Sequence, residues 1–123
     1  MYPPVFPAVA ASAECVALLK TGNGALRFYQ FGQAPQNVQK PYAVWQRSSG
    51  APENYLGQRP DIDQFSLQID VYAGSGDQAR TVAAALRDAL EVIGHITSWL
   101  GESIDSETKA ARFTFLLDVW TRR

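Results

Sequence analysis

Apolar residues along the chain follow two rhythms. The two-residue rhythm is clearest over residues 63–72 (DQFSLQIDVY), where Phe65, Leu67, Ile69 and Val71 point one way and Ser66, Gln68, Asp70 and Tyr72 the other. Strict alternation predicts a β-strand with one face in a core and one face wet or at an interface. Residues 112–120 repeat it, with Phe113, Phe115, Leu117 and Val119 inward. Residues 26–31 and 42–49 alternate more weakly. In 42–49, Tyr42, Val44 and Gln46 share one face and Ala43, Trp45 and Arg47 the other. Trp45, Tyr72 and Trp120 are assigned to the outward side of their strands. Residues 96–100 predict a further short strand.

The second rhythm is helical. Ala79, Val82, Ala83, Leu86, Leu90 and Ile93 recur at three- and four-residue steps and predict an amphipathic helix over 78–93, with Ser75 or Asp77 as N-cap and Gly94 as its end. Val5, Val9, Ser12, Val16 and Leu19 predict another over 3–19, its prolines tolerated in the first turn. Glycine and proline punctuate the rest: a stop at Thr21–Gly24, a loop over 32–41, a long aperiodic loop over 49–61 and a polar turn over 101–109.

The order is helix, strand, strand, strand, helix, strand, strand. Long alternating strands need their apolar faces covered, and two amphipathic helices are there to do it. The fold class is therefore α+β, a mostly antiparallel four- to five-stranded sheet with two helices packed on one face. The 123 residues suit a single domain. No internal repeat or low-complexity stretch interrupts it.

Composition narrows the functions. Eleven Lys and Arg stand against 12 Asp and Glu, a formal net charge of −1, without the basic surplus that phosphate binding needs. The single Cys15 rules out an intrachain disulfide, and with the single His95 it leaves no Cys/His zinc set. No stretch is apolar enough to span a membrane. The first 20 residues lack a basic start and carry three early prolines, so they read as mature protein, used in a reducing cytoplasm.

Catalytic chemistry is sparse. Cys15 sits among apolar residues and reads as a core thiol rather than a nucleophile. His95 follows Gly94 and reads as a turn or helix-end residue. Asp61 and Asp63 share a face, but two carboxylates without a third ligand make a weak cation site. Asp88 and Glu91 beside Arg87 read as a solvated helix face. Neither Gly22–Gly24 nor Gly74–Gly76 has the spacing of a phosphate loop. Arg27, Arg47, Arg59, Arg112, Arg122 and Arg123 interleave with aromatics but are matched by acids. No catalytic residue, metal or cofactor is expected. Eight Arg against three Lys, with Trp and Tyr on wet strand faces, points instead to a protein interface.

The chain resembles the tail-completion, or tail terminator, proteins of long-tailed bacteriophages, once catalogued as a domain of unknown function. The resemblance is carried by a short N-terminal helix, by residues 40–46 (KPYAVWQ), by 63–72, by the turn and helix over 73–90 (AGSGDQARTVAAALRDAL) and by 113–120 (FTFLLDVW). It spans nearly the whole chain. It implies a virion structural protein with no catalytic residues, which forms a homo-hexameric ring on the head-proximal end of the tail. The ring would cap the tail tube, stop its polymerisation and meet the head–tail connector, while duplex DNA passes through the lumen unbound. Three contact surfaces are expected: Glu53, Tyr55 and Arg59 in the long loop; Gln68 and Asp70 on the outward face of 63–72; and Arg122 and Arg123 at the C-terminal end. Other readings are a stopper or adaptor of the same junction, a small enzyme or ligand-binding domain, and a DNA-binding accessory protein.

Overall fold

A computed structural model describes residues 4–21, 24–35, 38–52, 62–104 and 110–122. Two short helices, α1 (Val5–Ala10) and α2 (Ala13–Leu19), come first. They are followed by β1 (Phe28–Gln30), β2 (Tyr42–Pro52), β3 (Ile62–Ala73), α3 (Gly76–Leu90), β4 (Gly94–Ile104) and β5 (Ala111–Arg122).

The strands form one sheet in the order β1-β2-β3-β5-β4. β1 runs parallel to β2, and every other pairing is antiparallel. The α+β class and the mostly antiparallel sheet expected from the sequence are both present. β3 and β5, the two strands with the strictest alternation, lie together in the middle and pair along their whole length. Their inward residues Leu67, Ile69, Val71, Phe115, Leu117 and Val119 are fully buried. They share one core with Val82, Leu86 and Leu90 of α3, and with Val5, Val9, Cys15 and Leu19 of α1 and α2. All the helices therefore cover the same face.

α3 starts where small polar residues satisfy its free amide groups. The Ser75 hydroxyl accepts from the Gln78 amide at 3.2 Å, and the Gln78 side chain accepts from the Gly74 amide at 3.0 Å. This exchange is a capping box in all but one residue of register. Five alanines keep the helix propensity high and let it sit close to the sheet.

Several boundaries differ from the sequence reading. The expected helix over 3–19 is two helices, because Ser12 leaves the helical stripe and caps α2, its hydroxyl accepting from the Cys15 amide at 3.2 Å. Trp45 is not outward. It pairs with Ile69, on the helix side, and is only 7% exposed. Both faces of residues 42–47 carry apolar groups, so alternation alone gives no choice of side; the pairing with β3 makes it. β2 continues through 49–52, residues expected to be loop, by pairing with 63–66 across a bulge between Arg47 and Ser49. α3 ends at Leu90, a three-residue turn follows, and β4 begins at Gly94 and includes His95, so neither the helix to 93 nor a turn at His95 is found. The same strand takes in 101–104, expected as turn, because β5 offers them backbone partners.

Candidate functional site

The face of the sheet turned away from the helices is laid out by the strand register. Its first row runs Tyr42, Tyr72, Arg112; its second Val44, Asp70, Thr114; its third Gln46, Gln68, Leu116. Ser66 and Asp118 face each other beyond them, joined at 2.7 Å. The Tyr42 and Tyr72 rings stack with centroids 5.0 Å apart and planes 19° from parallel. The Arg112 guanidinium lies 5.9 Å from the Tyr72 ring, within cation–π range.

Asp70 is the centre of this face. It is only 5% exposed, though no helix covers it. One carboxylate oxygen accepts from Thr114 Oγ1 at 2.6 Å and from Arg112 at 3.1 and 3.3 Å. The other accepts from the Gln68 amide at 3.2 Å. A buried carboxylate is stable only when its lone pairs are taken and its charge matched, and here both conditions hold. Gln68 and Asp70, expected as contact residues, are thus brought together. Asp70 acts as an internal clamp, and the groups it holds form the surface. Arg112, Thr114 and Tyr42 were not among the expected site residues. Their signal is their register against 63–72, which only the fold supplies.

Glu53, Tyr55, Arg59 and Arg123 lie outside the described residues. Arg122 belongs to β5, where its backbone pairs with Ile62, so it continues the sheet rather than forming a free tail.

Other arginines have structural work. The buried Arg27 donates to Pro41 O at 2.9 Å, Thr21 Oγ1 at 2.9 Å and Leu18 O at 3.4 Å, tying the end of α2 to the start of β2. Arg87 pairs with Asp88 and Glu91 on the open side of α3, as the sequence spacing predicts. Arg80 bridges α3 to β4, reaching Glu102 at 2.6 and 2.9 Å and Asp77 at 2.9 Å. Its hydrogen bonds hold the Glu102 carboxyl below its ordinary range. This pair lines a hollow of about 280 Å³ between the start of α3, the end of β4 and the start of β5. An arginine so placed cancels the acid that would otherwise attract a cation there.

Cys15 is buried, and burial pushes its thiol above the usual range, so it is poorly suited to act as a nucleophile. No group of three or more His, Cys, Asp or Glu able to hold a metal occurs among the described residues. No helix among them is long and apolar enough to cross a membrane.

Exposed apolar groups stand on both sheet edges, with Trp99, Leu100 (54% exposed) and Ile104 (63%) in β4 and Phe31 (68%) just past β1, and also on the helical side, with Phe6 in α1 and Val92 (82%) just past α3. Trp99 is half anchored, packing on Phe113 and Phe115 with ring centroids 5.4 and 5.1 Å away.

Similarity to known proteins adds to this geometry. The family described as tail completion protein gp17 matches residues 3–94. The matched stretch ends at the first residue of β4. No protein of curated function is significantly similar in sequence. Among solved structures, a chain from the virion of a native gene transfer agent particle superposes with a TM-score of 0.64 at 17% identity, over 97% of this chain and 92% of that one. At that identity the likeness is one of fold.

Proposed function

The chain belongs to the tail completion protein gp17 family, and from that membership we propose that it is a virion structural protein acting as tail terminator. In this role it forms a homo-hexameric ring on the head-proximal end of the tail, stops polymerisation of the tube and offers its other side to the head–tail connector. The family match carries the reading. The fold shared with a chain of a gene transfer agent virion supports residence in a particle of that kind.

The surface chemistry agrees with a structural role. The helix-free sheet face presents tyrosine, amide, hydroxyl and aliphatic groups, and its Arg112 is engaged by Asp70. Such a face fits a protein partner or a bore through which DNA slides without being held. A net charge of −1 and arginines committed to Asp70, Asp77, Asp88, Glu91 and Glu102 keep phosphate affinity low. Assembly belongs to the host cytoplasm, and neither catalysis nor a cofactor is part of the role.

Electron microscopy of lysates from a particle-producing strain with this gene disrupted tests the reading. Full heads beside detached tails, some overlong, are expected. Detached tails of uniform normal length beside leaking heads would assign the chain to a stopper or adaptor instead. Intact infectious particles would overturn the structural role.

A further inference from the structure

We infer that the ledge formed by the helix side of β4 and the adjoining flank of α3 is a docking surface for another protein. Its occupant is an amphipathic α-helix with apolar anchors along one face and lysine or arginine at the rim. The inference goes beyond the terminator reading and does not depend on it.

The helical layer stops short of β4. α3 packs on β3 and β5, and α1 and α2 pack on the flank of α3 that points away from β4. With them they share a core that takes in Phe28, Ala43 and Trp45 of β1 and β2. β4 is the outer strand at the other end of the sheet. Its pairing tells which of its side chains point to the helix side. Ile96 stands opposite Leu117, Trp99 opposite Phe115, Glu102 opposite Phe113 and Ile104 opposite Ala111. All four β5 partners belong to the core or pack against it. Yet Trp99 is 45% exposed and Ile104 more so. These are core-side positions with no layer above them, and the apolar face of a sheet is normally covered.

α3 is the wall of this ledge. It starts beside the end of β4, where Arg80 reaches Glu102, and it ends one short turn before β4 begins. Helix and strand therefore run side by side in opposite directions. Arg80, Ala84, Arg87 and Glu91 follow one another at three- and four-residue steps along that flank. At one end lies the hollow of about 280 Å³ beside Arg80, Glu102, Ile104 and Ala111, with room for an anchoring side chain. The floor from Ile96 to Ile104 lies opposite residues 117 to 111 of β5, six steps of about 3.4 Å, or ~20 Å in all. A helix of about 14 residues spans that length. Helices that dock in such grooves insert apolar side chains at three- and four-residue steps.

Charge decides the rim of the occupant. Along the wall, Arg80 is shared by Asp77 and Glu102, and Arg87 by Asp88 and Glu91. Four carboxylates against two guanidiniums leave two negative charges in excess beside the apolar floor. Lysine or arginine on an incoming helix complements them, and an acidic rim is repelled. A second copy of this chain has no such helix to offer among its described residues. α1 and α2 bury Val5, Val9, Cys15 and Leu19 in their own core, and α3 buries Val82, Leu86 and Leu90 there. The occupant is therefore a helix of a different protein.

Peptide binding to the purified full chain tests the inference. The probe is a fluorescein-labelled synthetic helix of about 14 residues, with leucines at three- and four-residue steps and lysines beside them, read by fluorescence anisotropy. The wild-type chain is expected to bind it. Ile104→Lys should bind it about tenfold more weakly or worse, having lost an apolar contact. Glu102→Gln should bind it about two- to fivefold more weakly, the worth of one exposed ion pair. Val92→Lys, which sits on the other flank of α3 beside Ala8 and Ala11, should bind it as the wild type does. The same peptide with glutamate in place of lysine should bind more weakly than the lysine form. Both lysines replace exposed residues, and Glu102→Gln decides the matter should Ile104→Lys fail to fold. Equal affinity of Ile104→Lys, Glu102→Gln and the wild type, equal affinity for the two peptides, or no binding of the lysine peptide at millimolar concentration would overturn the inference. So would a wild-type chain that sediments as a dimer and becomes monomeric in Ile104→Lys, because the ledge would then belong to a second copy. None of these outcomes touches the terminator reading, which stands or falls with the lysates.

Discussion

Asp70 occupies a position that alternation assigns to the wet side of a strand, yet it is shut from solvent by its own neighbours. Arg112, Thr114 and Gln68 converge on it, and each is fixed by the register of β3 and β5. Asp70→Ala removes a charge-assisted network and should cost about 1.5–3 kcal/mol, read as a lowered midpoint in urea. A change within error would mean the network is decorative. Gly94 is a second constrained position. A Cβ there would sit 2.1 Å from the backbone oxygen of Asp118, so β4 would have to move away from β5. Gly94→Ala should cost about 1–3 kcal/mol, whereas alanine at the exposed and roomy Gly74 should cost well under 1 kcal/mol. Equal melting temperatures for the two variants would contradict the close approach. At this scale the sequence was most legible where a residue's role depends on its own strand or helix: the inward set of 63–72, the Ser75 cap and the buried Cys15. Trp45 and Asp70 needed partners that no local pattern contains.

Among the elements, those with a strong internal rhythm were readable and those held by their neighbours were not. β3, β5 and α3 alternate or repeat along nearly their full length. The second half of β4, with Gly101, Glu102 and Ser103, has no strand pattern and exists because β5 accepts it as a partner. The same is true of 49–52 in β2. The break between α1 and α2 was hidden because Ser12 falls on the apolar stripe while also being a good cap. The candidate site divided likewise. Alternation puts Gln68 and Asp70 on the outward face of β3, where the register has them, but it does not reveal that Arg112 and Thr114 lie beside them. The link from α3 to β4 can be tested by titration. Because Arg80 lowers the Glu102 pKa, the pair stabilises the fold above the ordinary carboxylate value and loses that effect as pH falls through the depressed one. Glu102→Gln should therefore lower the melting temperature slightly near neutral pH and hardly at all in acid, when melts are compared at both. The effect is small because the pair is exposed. A difference that grows toward acid would have the wrong sign for this account.

For the whole molecule, the arrangement of β5 has a kinetic consequence. This strand is the last element in the chain, yet it lies between β3 and β4 and pairs with both. During synthesis the β2–β3 hairpin can form early, and α3 can coil, but the sheet has a vacant central lane until 111–122 have emerged. The core that α3 covers lacks Phe115, Leu117 and Val119 until then. The nascent chain therefore cannot commit to its tertiary structure piece by piece. Pairing between residues far apart in the chain dominates the sheet, which favours slow folding. A chain cut before residue 111 would lose at one stroke the strand that joins β3 to β4 and three core side chains, and should show no cooperative melt.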